Sequence, residues 1–358
     1  MAGESSPLLL SRLGISSSYG AKLITSLKKE GYIRTHYRNK LRGYRLTAKG
    51  KRLLLSENRE RFSFYLTGNS ETNRPRSELP RRRRLQQASL IYTMLLRCGI
   101  PFFRDQKPDL FGNPAPARSS PLPVFYHSRE LKELGGEAVK INSSRFMGIL
   151  LTEGCIYILY HTGDAPMKWE YRTELKLKAL LRYHTSQGIL CGEYLAAGYS
   201  YDTPVKALFI GNEMETCLKL LNSDGGFHKT YFHLDASFDY FHFIPDSAEG
   251  RSLLWLLCFP EIKTELDSIL LSDLDPPDLM MGFFHEGTTE GKPVLLAYDL
   301  DMLQLSRFHT ALSLRGLSGR LICFDFQKEM LARYFGKTVS FTTIDLQKFE
   351  RRFLCPSP

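Results

Sequence analysis

The stretch Ile15–Leu55, ISSSYGAKLITSLKKEGYIRTHYRNKLRGYRLTAKGKRLLL, decides how the chain is read. Ile15 to Ser18 form a turn with a serine N-cap. Gly20, Leu23, Ile24 and Leu27 then fall at i, i+3, i+4 and i+7, the spacing of one buried helical stripe. Ser18, Lys22, Thr25 and Lys29 occupy the opposite face. Gly31 stands where a C′ glycine ends a helix. Tyr32–Arg34 and Gly43–Leu46 have the composition of short strands, and the loop His36–Arg42 between them carries Arg38, Lys40 and Arg42. Thr47 caps a closing helix through Leu53–Leu55 that runs on past Glu57–Arg61 toward Leu66.

With these elements placed, Leu8–Leu55 resembles the winged helix-turn-helix of MarR/PadR-type DNA-binding proteins. The matching segments are LSRLGIS (10–16), LITSLKKEGYI (23–33) and YRLTAKG (44–50), about a seventh of the chain with what lies between them. The resemblance implies that Ser16–Lys29 lies in the major groove, with Ser17, Ser18, Tyr19 and Lys22 nearest the bases and Thr25 and Lys29 on the same face. It makes Arg38–Arg42 a wing that touches phosphates or a minor groove. The sequence departs from the family at one point. A helix should precede LSRLG, yet only six residues precede Pro7. That helix comes from elsewhere in the chain, from the partner in a homodimer, or is absent.

Charge agrees with a nucleic-acid partner. Residues 1–104 hold 22 Lys+Arg and 6 Asp+Glu, a net of +16, while the remaining 254 residues hold 26 basic and 32 acidic side chains, so the chain's +10 is wholly N-terminal. A basic face displaces counterions from duplex DNA and binds it in a salt-dependent way. Double-stranded DNA is the expected partner. Residues 67–80, TGNSETNRPRSELP, form an exposed polar linker. Arg81, Arg82, Arg83 and Arg84 then open a helix that ends at Gly99, and they extend the phosphate-contacting surface.

The 358 residues, 43% apolar and 24% charged, suffice for two or three globular domains. No apolar run approaches the roughly 18–20 residues of a membrane span, and the N-terminus lacks the pattern of a secretory signal. Cysteines 98, 155, 191, 217, 258, 323 and 355 are dispersed, with no CxxC pair. They point to free thiols in a reducing cytoplasm.

Proline-rich residues 101–123 lead into strands at Pro123–Tyr126 and Phe146–Thr152, and Cys155–Tyr160 pairs with the latter across Glu153-Gly154. Glu170–Tyr183 is an amphipathic helix. From Lys206 onward, strand-like runs alternate with helix-like ones: 207–210 and 213–221, 241–244 and 249–257, 294–298 and 302–314, 321–326 and 328–335, 339–344 and 346–353. That rhythm predicts βαβ units and a mostly parallel or mixed sheet. The expected organisation is an α+β winged helix over 1–66, the linker 67–80, a basic helix 81–100, a mixed α/β segment 101–205 and an α/β domain 206–358.

No GxGxxG, Walker A, GxSxG or HExxH motif occurs, and nothing requires a cofactor. Two acidic sets merit consideration. Asp109 with Glu130 and Lys132, or with Glu174 and Lys176, resembles the Asp…Glu-x-Lys order of restriction-endonuclease-like nucleases, whose carboxylates would bind Mg²⁺. Both triplets nevertheless fall in helical patterns, where that fold uses a strand. Asp299 and Asp301, after a strand and with Glu213 upstream, are similar to the magnesium site of toprim domains. An Asp at a strand end is also a routine N-cap. His228, His233 and His242 sit among aromatics as half-buried strand-edge imidazoles. Trp169 serves either as a core residue or as a stacking platform for unpaired bases.

Taken together, the sequence describes a cytoplasmic, non-enzymatic, sequence-preferring DNA-binding protein with an α/β domain for a partner or ligand. In arrangement it resembles the replication-relaxation and mobilisation accessory proteins of plasmids and conjugative elements, which implies work beside a relaxase or replication protein. A transcriptional regulator is the alternative within that class, and an Mg-dependent nuclease is the alternative outside it.

Overall fold

The computed structural model describes residues 2–110, 122–131, 141–187 and 199–354. The backbone divides into two units, residues 1–125 and 126–358.

The first unit runs α1 (Leu9–Arg12), α2 (Ser17–Lys29), β1 (Ile33–Arg38), β2 (Leu41–Leu46), α3 (Ala48–Glu57), α4 (Arg59–Leu66) and α5 (Leu79–Arg97). Gly31, at φ +73°, sits just past the end of α2, and its N–H bonds the Lys28 carbonyl at 3.0 Å. Thr47 caps α3 by accepting from the Gly50 N–H at 3.1 Å. Ser16 holds the N-cap position of α2, but its side chain makes no capping bond.

The hairpin differs from expectation. β1 and β2 pair antiparallel from Ile33–Leu46 to Arg38–Leu41, so the turn is only Asn39-Lys40 rather than a seven-residue loop. Both turn residues are left-handed, at φ 51° and 58°, as a two-residue turn matched to strand twist requires. Toward its turn the hairpin exposes Tyr37, Arg38 and Arg42 and buries Gly43 rather than apolar side chains, so no alternation of apolar residues marks its strands. Ser5 bridges to Tyr44 on the free edge of β2, through N–H···O bonds of 2.8 and 3.0 Å. The closing helix is likewise broken. Asn58, at φ −152°, ends α3 and caps α4 by accepting from the Arg61 N–H at 2.9 Å.

Residues 67–80 are exposed at Thr67, Gly68, Asn69, Arg74, Arg76, Glu78 and Pro80, as their composition suggests, yet the segment is anchored. Thr72 is buried and its hydroxyl donates to the Tyr65 carbonyl. The carbonyls of Pro75 and Arg76 accept from the Arg45 guanidinium at 3.1 and 2.9 Å. A polar, proline-broken segment can pack when its backbone acceptors meet a buried cation.

Among the described residues, the second unit holds two sheets. The first has the strand order β3 (Val124–His127), β4 (Gly148–Thr152), β5 (Cys155–Gly163), β6 (Val205–Gly211), β7 (Phe241–Pro245). β4 and β5 form the expected hairpin, with Thr152 opposite Cys155, and β5–β6–β7 are parallel. The unit boundary falls inside β3. The expected boundary at 205/206 falls at the first residue of β6, which is hydrogen-bonded to β5 in the same sheet. The second sheet has the order β11 (Val339–Ile344), β10 (Gly319–Phe324), β9 (Lys292–Leu296), β8 (Gly287–Thr289), with β9–β10–β11 parallel. The helices are α6 (Ser128–Leu131), α7 (Tyr171–Ser186), α8 (Met214–Leu221), α9 (Ala248–Cys258), α10 (Pro260–Leu271), α11 (Met302–Arg315), α12 (Lys328–Phe335) and α13 (Leu346–Phe349). The strand–helix rhythm was therefore legible, whereas its division between two sheets was not.

Trp169 is a core residue. It packs on Tyr160, Phe209, Phe232 and Phe238, and its indole N–H donates to Asp235 at 2.7 Å. Among the described residues, no helix is long and apolar enough to cross a membrane.

Candidate nucleic-acid interface

α2 presents one wetted face. Ser17, Ser18, Tyr19, Lys22, Thr25 and Lys29 are all exposed, and no acidic residue lies within the helix. The stripe Gly20, Leu23, Ile24, Leu27 turns inward, with Gly20 buried against Leu10 and Ile15. Tyr19 is 60% exposed, a large aromatic surface left in water at the start of a polar face. The Thr25 hydroxyl donates back to the Ala21 carbonyl at 2.9 Å, which leaves its acceptor side outward.

The hairpin carries Arg38, Lys40 and Arg42, all exposed. Its aromatic residues hold cations in place. Arg42 and Lys28 lie 5.5 and 5.7 Å from the Tyr44 ring centroid, and Lys49 lies 4.9 Å from that of Tyr32. Tyr37, opposite Arg42 near the tip, is 67% exposed and was missed by sequence reasoning. An exposed aromatic inside a basic segment was the available signal.

The four arginines of α5 separate into different roles. Arg82 is 0% exposed, which contradicts its assignment as a phosphate contact. Its guanidinium donates to the Glu4 carboxylate at 2.8 Å and to the carbonyls of His36, Arg38 and Leu41 at 2.9, 2.9 and 3.0 Å. Glu4 also takes bonds from Arg45 at 2.7 Å and Gln86 at 2.6 Å. Burial pulls the Glu4 carboxyl up, but the bonds from Arg82, Gln86 and Arg45 outweigh it and hold the group below its ordinary value. One buried carboxylate thus ties the N-terminal segment, the hairpin and α5 together. Arg82 braces the turn end of the hairpin instead of facing solvent. Arg81 pairs with Glu78 at 3.1 Å and lies 3.7 Å from Glu71, while Arg83 and Arg84 are exposed.

The acidic residues fall in different settings. Asp109 belongs to the first unit and lies 3.4 Å from Arg104. Glu130 belongs to the second unit, is buried in α6, and accepts from the His127 N–H at 2.8 Å. Lys132 lies outside the described residues, as do Cys191 and Cys355. Glu174 is buried in α7, where its carboxylate accepts from the Tyr160 and Ser144 hydroxyls. Burial pushes it up to about 7.

Asp299 and Asp301 join a cavity of about 280 Å³ that Glu213, exposed at the start of α8, does not reach. Asp301 caps α11 by accepting from the Leu303 N–H at 3.2 Å, and it also binds the Phe241 N–H of β7 at 3.0 Å. Burial pulls the Asp299 carboxyl up, but His242, Lys263 and Lys206 hold it below its ordinary value. Lys263 donates to Tyr298 at 2.8 Å and to Asp267 at 3.1 Å. Burial, working against a bond from the Leu296 N–H, pushes the Glu286 carboxyl to about 7. Among the described residues, no group of three or more His, Cys, Asp or Glu could hold a metal ion. Cys155 and Cys323 are buried thiols pushed up by burial to about 11 and 12, well away from reactive thiolates.

No family model, curated protein or solved structure matches the chain.

Proposed function

We propose that the first unit is a winged helix that binds duplex DNA, with α2 in the major groove and the β1–β2 hairpin as the wing. The supporting observation is the exposed face of α2. Six polar or aromatic side chains with no acid among them stand beside a hairpin that offers three exposed cations. On this reading Ser17, Ser18, Tyr19 and Lys22 meet base edges, while Arg38, Lys40 and Arg42 meet phosphates. Ser5 pairing on β2, followed by α1 and α2, gives the strand–helix–helix–hairpin order of the motif. α5 packs against α1, which suits it to the place of the helix that the family puts first. Arg83 and Arg84 add charge at the open end of α5, and Arg82 does not.

A separate, larger α/β unit suits an accessory factor that marks a DNA site for a second protein, such as a relaxase or replication protein of a mobile element. The test is fluorescence anisotropy of the full chain with duplex and single-stranded DNA across a salt series, with and without Mg²⁺, followed by a denaturing gel. Steep salt dependence on intact duplex supports the reading. Binding that ignores salt, or cut DNA in the Mg²⁺ lanes, overturns it.

A further inference from the structure

A second cluster of cations in the first unit lies in residues that the DNA reading does not use. A cavity of about 350 Å³ opens between the N-terminal segment, the hairpin, α3 and the 72–75 segment. This is within the range of small-molecule sites, roughly 300–1,000 Å³. Arg34, Arg45, Lys51 and Arg74 line it, and among the described residues no carboxylate does. Arg45 is spent on Glu4 and on backbone carbonyls. The other three come from separate elements: Arg34 from β1, Lys51 from α3 and Arg74 from the segment expected to be a linker.

Lys51 is held in place. Its ammonium donates to the Asn73 side-chain oxygen at 2.7 Å and to the Asn73 carbonyl. Arg34 and Arg74 are exposed at the rim. Burial first, and then the charges of Arg34 and Arg74, lower the Lys51 ammonium from its ordinary value. Like charges gathered around a half-buried, pinned ammonium raise the free energy of the folded unit unless an anion joins them. Elsewhere in this unit a buried cation meets a carboxylate, as Arg82 meets Glu4. At this cavity Glu4 answers Arg45, but among the described residues no carboxylate in the lining is offered to Arg34, Lys51 or Arg74.

We infer that this cavity binds a phosphate group, with Lys51 as its fixed donor and Arg34 and Arg74 closing on it as bidentate guanidinium partners. Arginine forks match phosphate oxygens in pairs, and a pinned lysine adds a point charge. The same chemistry is offered by a backbone phosphate of DNA and by a free nucleotide, and the test separates the two sources.

The full-length protein and its Arg34→Ala/Arg74→Ala variant are titrated calorimetrically with inorganic phosphate and with ADP. Both are also titrated by anisotropy with duplex DNA across a salt series, with Lys22→Ala carried alongside. Both arginines are exposed, so the double variant is expected to fold, and circular dichroism checks this. If the source is free, the double variant loses tenfold or more in ADP or phosphate affinity, while Lys22→Ala binds ADP as wild type does. If the source is the DNA backbone, the double variant flattens the salt slope by about two, roughly one for each guanidinium removed. Wild type and double variant identical in every titration overturns the inference. Should duplex binding still depend on Lys22 in that case, the winged-helix reading stands without the pocket. Should no form bind duplex while ADP binding depends on Arg34 and Arg74, the pocket stands and the winged-helix reading falls.

Discussion

The two units handle charge in opposite ways. In the second, the Asp299 cavity sets Asp267 and Asp299 against Lys263, 3.1 and 3.7 Å away, with Lys206 in the same wall. In the first, the Arg34–Lys51–Arg74 cavity and the α2 face gather cations and leave the anion to be supplied. A cluster of charged residues in a sequence therefore indicates a binding surface only when the fold leaves its charge unanswered. Arg81–Arg84 show this within a single turn of helix. Arg81 and Arg82 meet carboxylates inside the unit, whereas Arg83 stands exposed.

The sharpest way to break that comparison is to cut an answered charge. Arg82→Ala leaves the Glu4 carboxylate buried without its main partner and frees the carbonyls of His36, Arg38 and Leu41. Removing one member of a buried pair costs about 3–5 kcal/mol. Arg83→Ala, at the very next position, should fall within about 0.5 kcal/mol of wild type, as exposed substitutions do. Urea denaturation compares them. If Arg82→Ala keeps full stability and loses only DNA affinity, Arg82 is a phosphate contact after all.

The second unit can be probed through a charge that burial holds neutral. Glu286 has a folded value of about 7 against an ordinary 4.5. Between those two pH values the folded chain keeps a proton that the unfolded chain has released, so stability falls as pH rises through that window. Every tenfold difference in proton affinity between the two states is worth about 1.4 kcal/mol. Glu286→Gln, which keeps an acceptor for the Leu296 N–H, should gain about 1–2 kcal/mol over wild type at pH 8 and nothing at pH 4.5. Denaturation midpoints at the two pH values measure it. Parallel pH profiles would show that Glu286 is already ionised in the fold.

Legibility followed the range of the physics. The α2 face, Gly31 and Thr47 were readable because helix periodicity and capping act within a few residues, and the strand–helix alternation after Val205 was readable for the same reason. Glu4–Arg82 was not. That pair joins positions far apart in the chain, and an arginine run reads the same whether one member turns inward or none does. The hairpin turn at Asn39-Lys40 escaped because the outer strands turn Tyr37, Arg38 and Arg42 to water and are covered through backbone carbonyls and Gly43, so no apolar alternation marks them. The acidic sets misled because Asp301 commits its Oδ1 to the Phe241 and Leu303 amides and Glu130 its Oε1 to the His127 amide, a use that composition cannot distinguish from metal binding.

On the proposed DNA reading, the finest division lies within the unanswered charges themselves, between those that would read bases and those that would only meet phosphates. Lys22 stands mid-face on α2, while Arg38 stands at the hairpin end, where its carbonyl is fixed by Arg82 and its side chain is exposed. Once a preferred site is selected from random sequence, Lys22→Ala should cost about 1 kcal/mol more on that site than on random duplex, because a lost base contact is felt only by the matching sequence. Arg38→Ala should weaken both duplexes equally and lower the salt slope by about 0.9, the signature of one phosphate released. Arg42 is expected to do the same with an added loss, since its guanidinium rests on Tyr44 and its removal loosens the strand as well. Anisotropy titrations on the two duplexes across a salt series give both quantities. If Arg38→Ala discriminates between the duplexes, the wing reads a minor groove. If Lys22→Ala does not, base recognition moves from α2 to the hairpin, where Tyr37 at the tip becomes the next residue to replace.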